Sequence, residues 1–297
     1  MRRDPWAVAR SLPLLSFAVL SVSRSPRSPM SFQTVQILSV PVHSTTLEHA
    51  ADHVVRSALS QHGGWVITPN LDILRRTTKD ASFRRLYDQT TLRLADGMPL
   101  VWASKLRRTP LPERVAGSDL IFLLVAKAAE QGASIFLLGG NPGAAEKSAR
   151  LLCAKHPALR IAGIACPPPG FENVPEAMSA LKSQVLASRP HIVLVALGSP
   201  KQELLIEVLR QDLPAAWFLG IGITFSFVAG EVQRAPVWMR RIGLEWSHRL
   251  LQEPRRLARR YLVDGVPFAL QLFFISAIEG VRGAGHRTIA GPPGANQ

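Results

Sequence analysis

A chain of 297 residues with 47% hydrophobic and 19% charged residues has enough apolar material for a sizeable core, in one large domain or two small ones, which excludes wholesale disorder. Its two cysteines, Cys153 and Cys166, are too few for a disulfide framework or a Cys-rich zinc site, and they suit a reducing compartment. Lys and Arg outnumber Asp and Glu by 35 to 21, and the resulting +14 points to anionic partners (nucleic acid, anionic lipid or phosphorylated substrates) without choosing among them.

Residues 1–33 carry five Arg and one Asp. Leu12–Val22 is apolar but interrupted by Pro13 and Ser16, and the stretch after it is a poor cleavage region. Met30 therefore reads as the true start, with residues 1–33 as an over-extended start or disordered tail. No hydrophobic run reaches the roughly 18–20 residues of a spanning helix; Val266–Ile278 is the other long one.

From Thr34 to about Leu219, apolar runs alternate with helical patterns. Strands are expected at Gly64–Pro69, Leu92–Ala95, Ala133–Leu138, Leu159–Ile164, His191–Leu197 and Ala215–Leu219. Helices are expected at Leu120–Gln131, Ala144–Lys155, Pro175–Ser188 and Gln202–Gln211. The alternation predicts an α/β fold: a Rossmann-like, mostly parallel sheet with helices on both faces over residues 34–230. After Gly230 the character changes. Arg234–Arg260 holds eight Arg and two Glu among Trp and Leu residues. Leu244, Leu250, Leu251 and Leu257 fall on one helical side, and Arg249, Arg256, Arg259 and Arg260 on another. This predicts a basic amphipathic, membrane-associating appendage over 231–280, followed by a disordered tail at 281–297; a solvated face on an ordinary packing helix is the plainer alternative.

Ligands of open parallel sheets bind beyond the carboxyl ends of the strands. Gly139–Gly143 (GGNPG) is a turn entering a helix, with Pro142 suited to the first helical turn and glycines that let N–H groups approach a phosphate. Gly198–Glu203 (GSPKQE) repeats this with Lys201 as an added cation. Tight αβ turns need glycine in any case. Asp96 follows a strand and precedes Gly97; it can be a general base or cap the next helix, and position alone favours the cap. Arg114 can bind a phosphate or pair with an acid, and Ser118 or Asp119 can cap the helix near Leu120. Metal chemistry is not expected: Asp-x-Asp and His-Glu-x-x-His are absent, and His43, His49, His53 and His62 read as surface positions. Gly220-Ile221-Gly222 comes nearest a dinucleotide fingerprint but has Phe225 where the third glycine belongs, which weakens an oxidoreductase reading. The Arg-rich segment is not laid out as a groove-reading motif, so nucleic acid is not expected. A non-catalytic membrane-surface protein stays open.

Taken in order, Thr68-Pro69-Asn70, Leu94–Gly97, Glu113–Leu120, Leu138–Gly143, Gly198–Glu203, Gly220–Gly230, Arg234–Pro236 and Gly243–Arg249 followed by Glu253-Pro254-Arg255 resemble the WecG/TagA/CpsF group of bacterial glycosyltransferases over about Val35 to Leu272. The resemblance implies inverting transfer of a hexose (N-acetylmannosamine, its uronic acid or glucose) from a UDP-sugar, without cofactor or metal. The acceptor it implies is a polyprenyl-diphosphate-linked sugar at the cytoplasmic membrane face. It implies Asp96 as the base, Thr68, Asn70 and Arg114 as active-site positions, and Gln202 in the donor pocket. The glycines Gly139, Gly140, Gly198 and Gly222, with Lys201 and Glu203, join these as substrate-binding positions. Arg249, Arg256 and Arg259 are candidates for acceptor diphosphate or lipid contact. One departure stands out: Ser226 occupies a position where many members carry Asp.

Overall fold

A computed structural model describes residues 32–289. The expectations for residues 1–31, including the start at Met30, and for 290–297 lie outside the described residues.

A hairpin of β1 (Thr34–Ile37) and β2 (Val40–His43) opens the fold. The main sheet contains β3 (Gly64–Ile67), β4 (Leu92–Arg93), β5 (Ser134–Gly139), β6 (Arg160–Ala165), β7 (Ile192–Ala196) and β8 (Trp217–Gly220). Its order is β4-β3-β8-β7-β5-β6 and every pairing is parallel. All six carboxyl ends therefore open on one edge. Helices α1 (Leu47–Leu59), α2 (Leu71–Lys79), α3 (Ala81–Asp88), α4 (Met98–Leu106), α5 (Gly117–Gln131), α6 (Ala144–Lys155), α7 (Pro175–Ser188), α8 (Lys201–Leu209) and α9 (Thr224–Val228) link and cover the strands.

The strand sequences explain the two-sided burial. Side chains alternate across a strand, so Ile135 and Leu137 face the core built with α1, α5 and α6, while Phe136 and Leu138 face the one built with α2, α3, α7 and α8. The α/β architecture anticipated from the sequence is the one observed. On the functional edge β3, β4 and β7 stop one or two residues earlier than expected, while β5, β6 and β8 run one residue further. β3 stops at Ile67 because Asn70 turns the chain into α2, its Oδ1 accepting the N–H groups of Asp72 and Ile73 at 3.0 Å. His43 and His53 are not surface groups. His43 Nδ1 accepts the Arg93 N–H at 3.0 Å, and burial drives its pKa down to about 4. His53 lies edge-on between Phe32 and Trp217.

The appendage is a string of short helices followed by a long one: α10 (Val237–Arg241), α11 (Glu245–Gln252), α12 (Pro254–Ala258), a π-helical turn (Arg259–Gly265) and α13 (Val266–Ile289). The expected shared leucine face does not form. Glu253, at φ −132°, separates α11 from α12, so Leu257 is buried while Leu251 is 82% exposed. Two further expectations change. Pro254–Arg282 forms a 29-residue helical run, the one helix among the described residues that is long and apolar enough to cross a membrane by length and composition. α13 also continues to Ile289, into the segment expected to be disordered.

α13 packs along α4. Phe268, Leu272, Ser276 and Gly280, four residues apart, form the docked stripe, and Arg107 pairs with Glu279. Gly280 is required by contact: a Cβ there would lie 2.0 Å from the Leu106 carbonyl oxygen. Gly280→Val is expected to cost about 1–3 kcal/mol. That lowers the melting temperature by roughly 2–8 °C, whereas Ala277→Val on the exposed face leaves it unchanged. Thermal melts of the two variants check this.

Candidate active site

A cleft of about 560 Å³ lies on the carboxyl edge of the sheet, beneath the appendage. Four adjacent strands supply its floor: Thr68 and Asn70 after β3, Asp96 and Gly97 after β4, Gly198 and Ser199 after β7, and Gly220 to Gly222 after β8. Arg114, Gly117 and Ser118 come from the entry to α5. Glu245, Trp246, Arg249, Arg256, Arg260 and Tyr261 form the roof.

Asp96 does not cap a helix. α4 starts at Met98 with Gly97 as its cap residue, and no side chain satisfies that end. Gly97 sits at φ +139°, a backbone conformation that suits glycine and turns the chain away, leaving Asp96 on the cleft. Removal from water pushes the Asp96 carboxyl up to about 6, with Glu245 and Asp119 pushing the same way and Arg114 and the Gly117 N–H opposing. The carboxylate is therefore mostly ionised at pH 7 yet basic enough to accept a proton, the property a general base needs.

Beside it lies a five-residue ionic network. Arg114 donates from Nη1 to Glu245 Oε2 at 2.9 Å and from Nη2 to Asp119 Oδ2 at 2.8 Å. Arg234 and Arg240 donate to Asp119 Oδ1 at 2.6 and 3.1 Å, and Arg234 Nε also reaches Glu245 at 3.3 Å. Asp119 is thus an ion-pair hub in the first turn of α5, not the cap the sequence suggested; neither it nor Ser118 caps that helix, whose cap residue is Ala116. Two carboxylates, one from the core and one from the appendage, fix the Arg114 guanidinium and leave its remaining N–H groups for a ligand.

The glycine turns divide. Gly198 and Gly222, at φ +74° and +58°, line the cleft. Gly139 ends β5 and Gly140 follows it, one strand farther along the sheet, and neither lines the cleft; Gly140 backs onto Phe225. α6 starts at Ala144 after Gly143, so Pro142 stands in the turn before the helix. Gln202 is largely buried, and what it exposes lines the cleft beside Gly220 and Gly222. Its Oε1 accepts the Gly222 N–H at 3.0 Å and its Nε2 donates to Glu203 Oε1 at 2.9 Å, so this pair braces the Gly220–Gly222 turn. Burial pushes the Glu203 carboxyl up, and Glu203 lies outside the cleft. Lys201 is exposed and pairs with Glu172, away from the cleft. Ser226 is buried under Asn141 Nδ2 at 3.3 Å and does not line the cleft either.

Residues 35–279 match the Glycosyl transferase WecG/TagA/CpsF family. The chain belongs to that family. The match spans the sheet, the cleft and the appendage through most of α13, so the transferase unit includes the roof as well as the floor.

The roof of this glycosyltransferase contains the basic residues that the sequence grouped, with one exchange. Arg249 and Arg256 line the cleft; Arg256 also pairs with Glu253 at 2.6 Å. Arg259 is exposed and outside it, and Arg260 stands in the lining instead, with Nη2 3.1 Å from Asp72 Oδ2. Arg260 falls one turn after Arg256 along the same helical run. Asp72 also pairs with Arg75 and Arg76, which ties the roof to α2. Among the described residues, no group of three or more His, Cys, Asp and Glu side chains is placed to hold a metal ion.

Proposed function

We propose that this protein is an inverting hexosyltransferase that moves a sugar from a UDP-sugar donor to a polyprenyl-diphosphate-linked acceptor in cell-surface polysaccharide synthesis, using no metal. The observation that carries the reading is Asp96, a partly buried carboxylate with a raised proton affinity, set in the cleft beside an oriented Arg114.

Asp96 takes the proton of the acceptor hydroxyl as its oxygen forms the new bond to the anomeric carbon. The bond from that carbon to the donor diphosphate breaks, and UDP leaves with the electron pair. The leaving charge falls to groups around the cleft: Arg114, the backbone N–H groups of the Gly198 turn, and Arg249 and Arg260 in the roof. With two diphosphates to neutralise, an arginine-rich roof suits the task through bidentate guanidinium contacts. The donor sugar is N-acetylmannosamine, its uronic acid or glucose.

The same geometry supports work at the inner face of the cell membrane. Trp238, Leu251, Val263, Leu270 and Phe274 are exposed on the appendage, as are Arg255 and Arg259. Apolar side chains among cations are the composition of a surface that enters anionic headgroups.

A donor screen tests the reading. Purified protein with EDTA, a short-chain polyprenyl-diphosphate acceptor and a panel of UDP-sugars is expected to release UDP with one sugar, only when acceptor is present. Release abolished by EDTA, or independent of acceptor, would remove the metal-free transfer mechanism.

A further inference from the structure

The catalytic cleft has an apolar exit. A second groove, of about 490 Å³, lies on the outside of the molecule between α4 and α13 and is lined by Trp102, Lys105, Leu106 and Phe273. Trp102 and Phe273 also line the cleft, so the two spaces meet at this pair. The two rings stand 6.2 Å apart, tilted by 51°. On the cleft side the approach is apolar as well, through Met98, Pro99 and Ala269. On the outer side, Trp102 and Leu106 keep 38% and 43% of their surface exposed, and Phe274 keeps 69%.

The cleft lining thus combines two chemistries. Arg114, Arg249, Arg256 and Arg260 supply one, and an apolar track that leaves between two helices supplies the other, with Lys105 as the single charged group of the groove. A ligand that uses both has an anionic head and a linear apolar tail behind it. Docking of α13 alone does not require this surface: the buried stripe of Phe268, Leu272 and Ser276 supplies that contact, and the Trp102 and Leu106 side chains remain open to solvent beside it.

We propose that the α4–α13 groove binds the first isoprene units of the acceptor's polyprenyl tail. This rests on the reading of the acceptor as a polyprenyl diphosphate. The groove makes the enzyme measure the tail next to the diphosphate, and it leads the rest of the chain toward the exposed apolar face of α13. Trp102 and Leu106 are then acceptor-binding residues that do not touch the donor.

The test compares two soluble acceptors with the same sugar diphosphate, one carrying three isoprene units and one a methyl group, using the full chain in detergent-free buffer. For the native protein, kcat/KM is expected to favour the prenyl acceptor. Leu106→Ser and Trp102→Ala are expected to raise KM for the prenyl acceptor on the order of ten-fold, the loss of a few apolar contacts. For Leu106→Ser, which lies outside the cleft, KM for the donor and kcat/KM for the methyl acceptor stay at native values, and Trp102→Phe keeps most of the prenyl preference that Trp102→Ala loses. Equal loss on both acceptors, or none on either, overturns the groove assignment while leaving the transfer reaction standing. No transfer to either acceptor by native protein overturns the acceptor reading and this proposal together. A parallel flotation assay with anionic vesicles lacking acceptor separates membrane docking: if Leu106→Ser loses vesicle binding and not prenyl preference, the groove serves the bilayer and the proposal fails.

Discussion

Asp96→Asn is expected to lower turnover by about 10²–10⁴-fold, the usual contribution of a positioned base. Donor binding, measured by calorimetry, is expected to persist, because the substitution removes a charge and leaves the shape of the cleft. The stability consequence has a definite sign. The folded Asp96 carboxyl binds its proton up to about pH 6, whereas an unfolded one releases it near the ordinary carboxylate value. Folding stability therefore falls as pH rises through that window and is level above it. At pH 7 the native protein bears the full cost of keeping this charge partly buried. The Asn variant, which has no charge to bury, is expected to melt no lower than native protein. Wild-type turnover in a folded Asn variant would remove the base assignment; a large drop in melting temperature would instead assign Asp96 a structural role.

The part of this site that could be read from the sequence is the part built locally. Thr68-Pro69-Asn70, Asp96-Gly97, Gly198 and Gly220–Gly222 each follow a short apolar run, and a parallel sheet brings such positions to one edge whatever its strand order. Strand order then decides which of them meet. Gly139 and Gly140 look as suitable as Gly198 in the sequence, but β5 lies outside the four strands that floor the cleft. The cap reading of Asp96 failed for a local reason that Gly97 announced: a glycine at positive φ starts α4 one residue later and turns the carboxylate out.

Long-range charge pairing was less legible. Nothing in the sequence near Asp119 marks it as the anchor for Arg234 and Arg240, more than 100 positions away. Nor does Lys201 reveal that Glu172 claims it. The appendage misled most, because an amphipathic pattern assumes one continuous helix and Glu253 interrupts it. The hairpin β1–β2 and helices α1 to α3 were not anticipated. They carry the packing under β3 and β4, and their short, mixed segments give no long period to read.

Arg114 and Glu245 are expected to move the acid limb of the pH–rate profile in opposite directions. With Asp96 as the proposed base, native kcat/KM is expected to fall as pH drops through the Asp96 value of about 6, because the protonated form cannot take the acceptor proton. Arg114 is the neighbouring cation that favours the ionised form. Arg114→Gln removes that attraction and leaves Asp96 facing Asp119 and Glu245, so the limb moves to higher pH. On the proposed mechanism it also removes a donor to the departing diphosphate, for an expected loss on the order of 10²–10³ in kcat even at a pH where the base is fully ionised. Glu245→Gln deletes a like charge that raises the Asp96 value, so its limb moves to lower pH. It also frees Arg114 Nη1, held at 2.9 Å in the native enzyme. Since Glu245 belongs to α11 and Arg114 to the core, the same pair reports whether the roof is seated during the reaction. If Glu245→Gln leaves the limb where it was while Arg114→Gln still moves it, the appendage stands away from Asp96 in the working enzyme. If both variants shift the limb the same way, the network does not set the base's proton affinity.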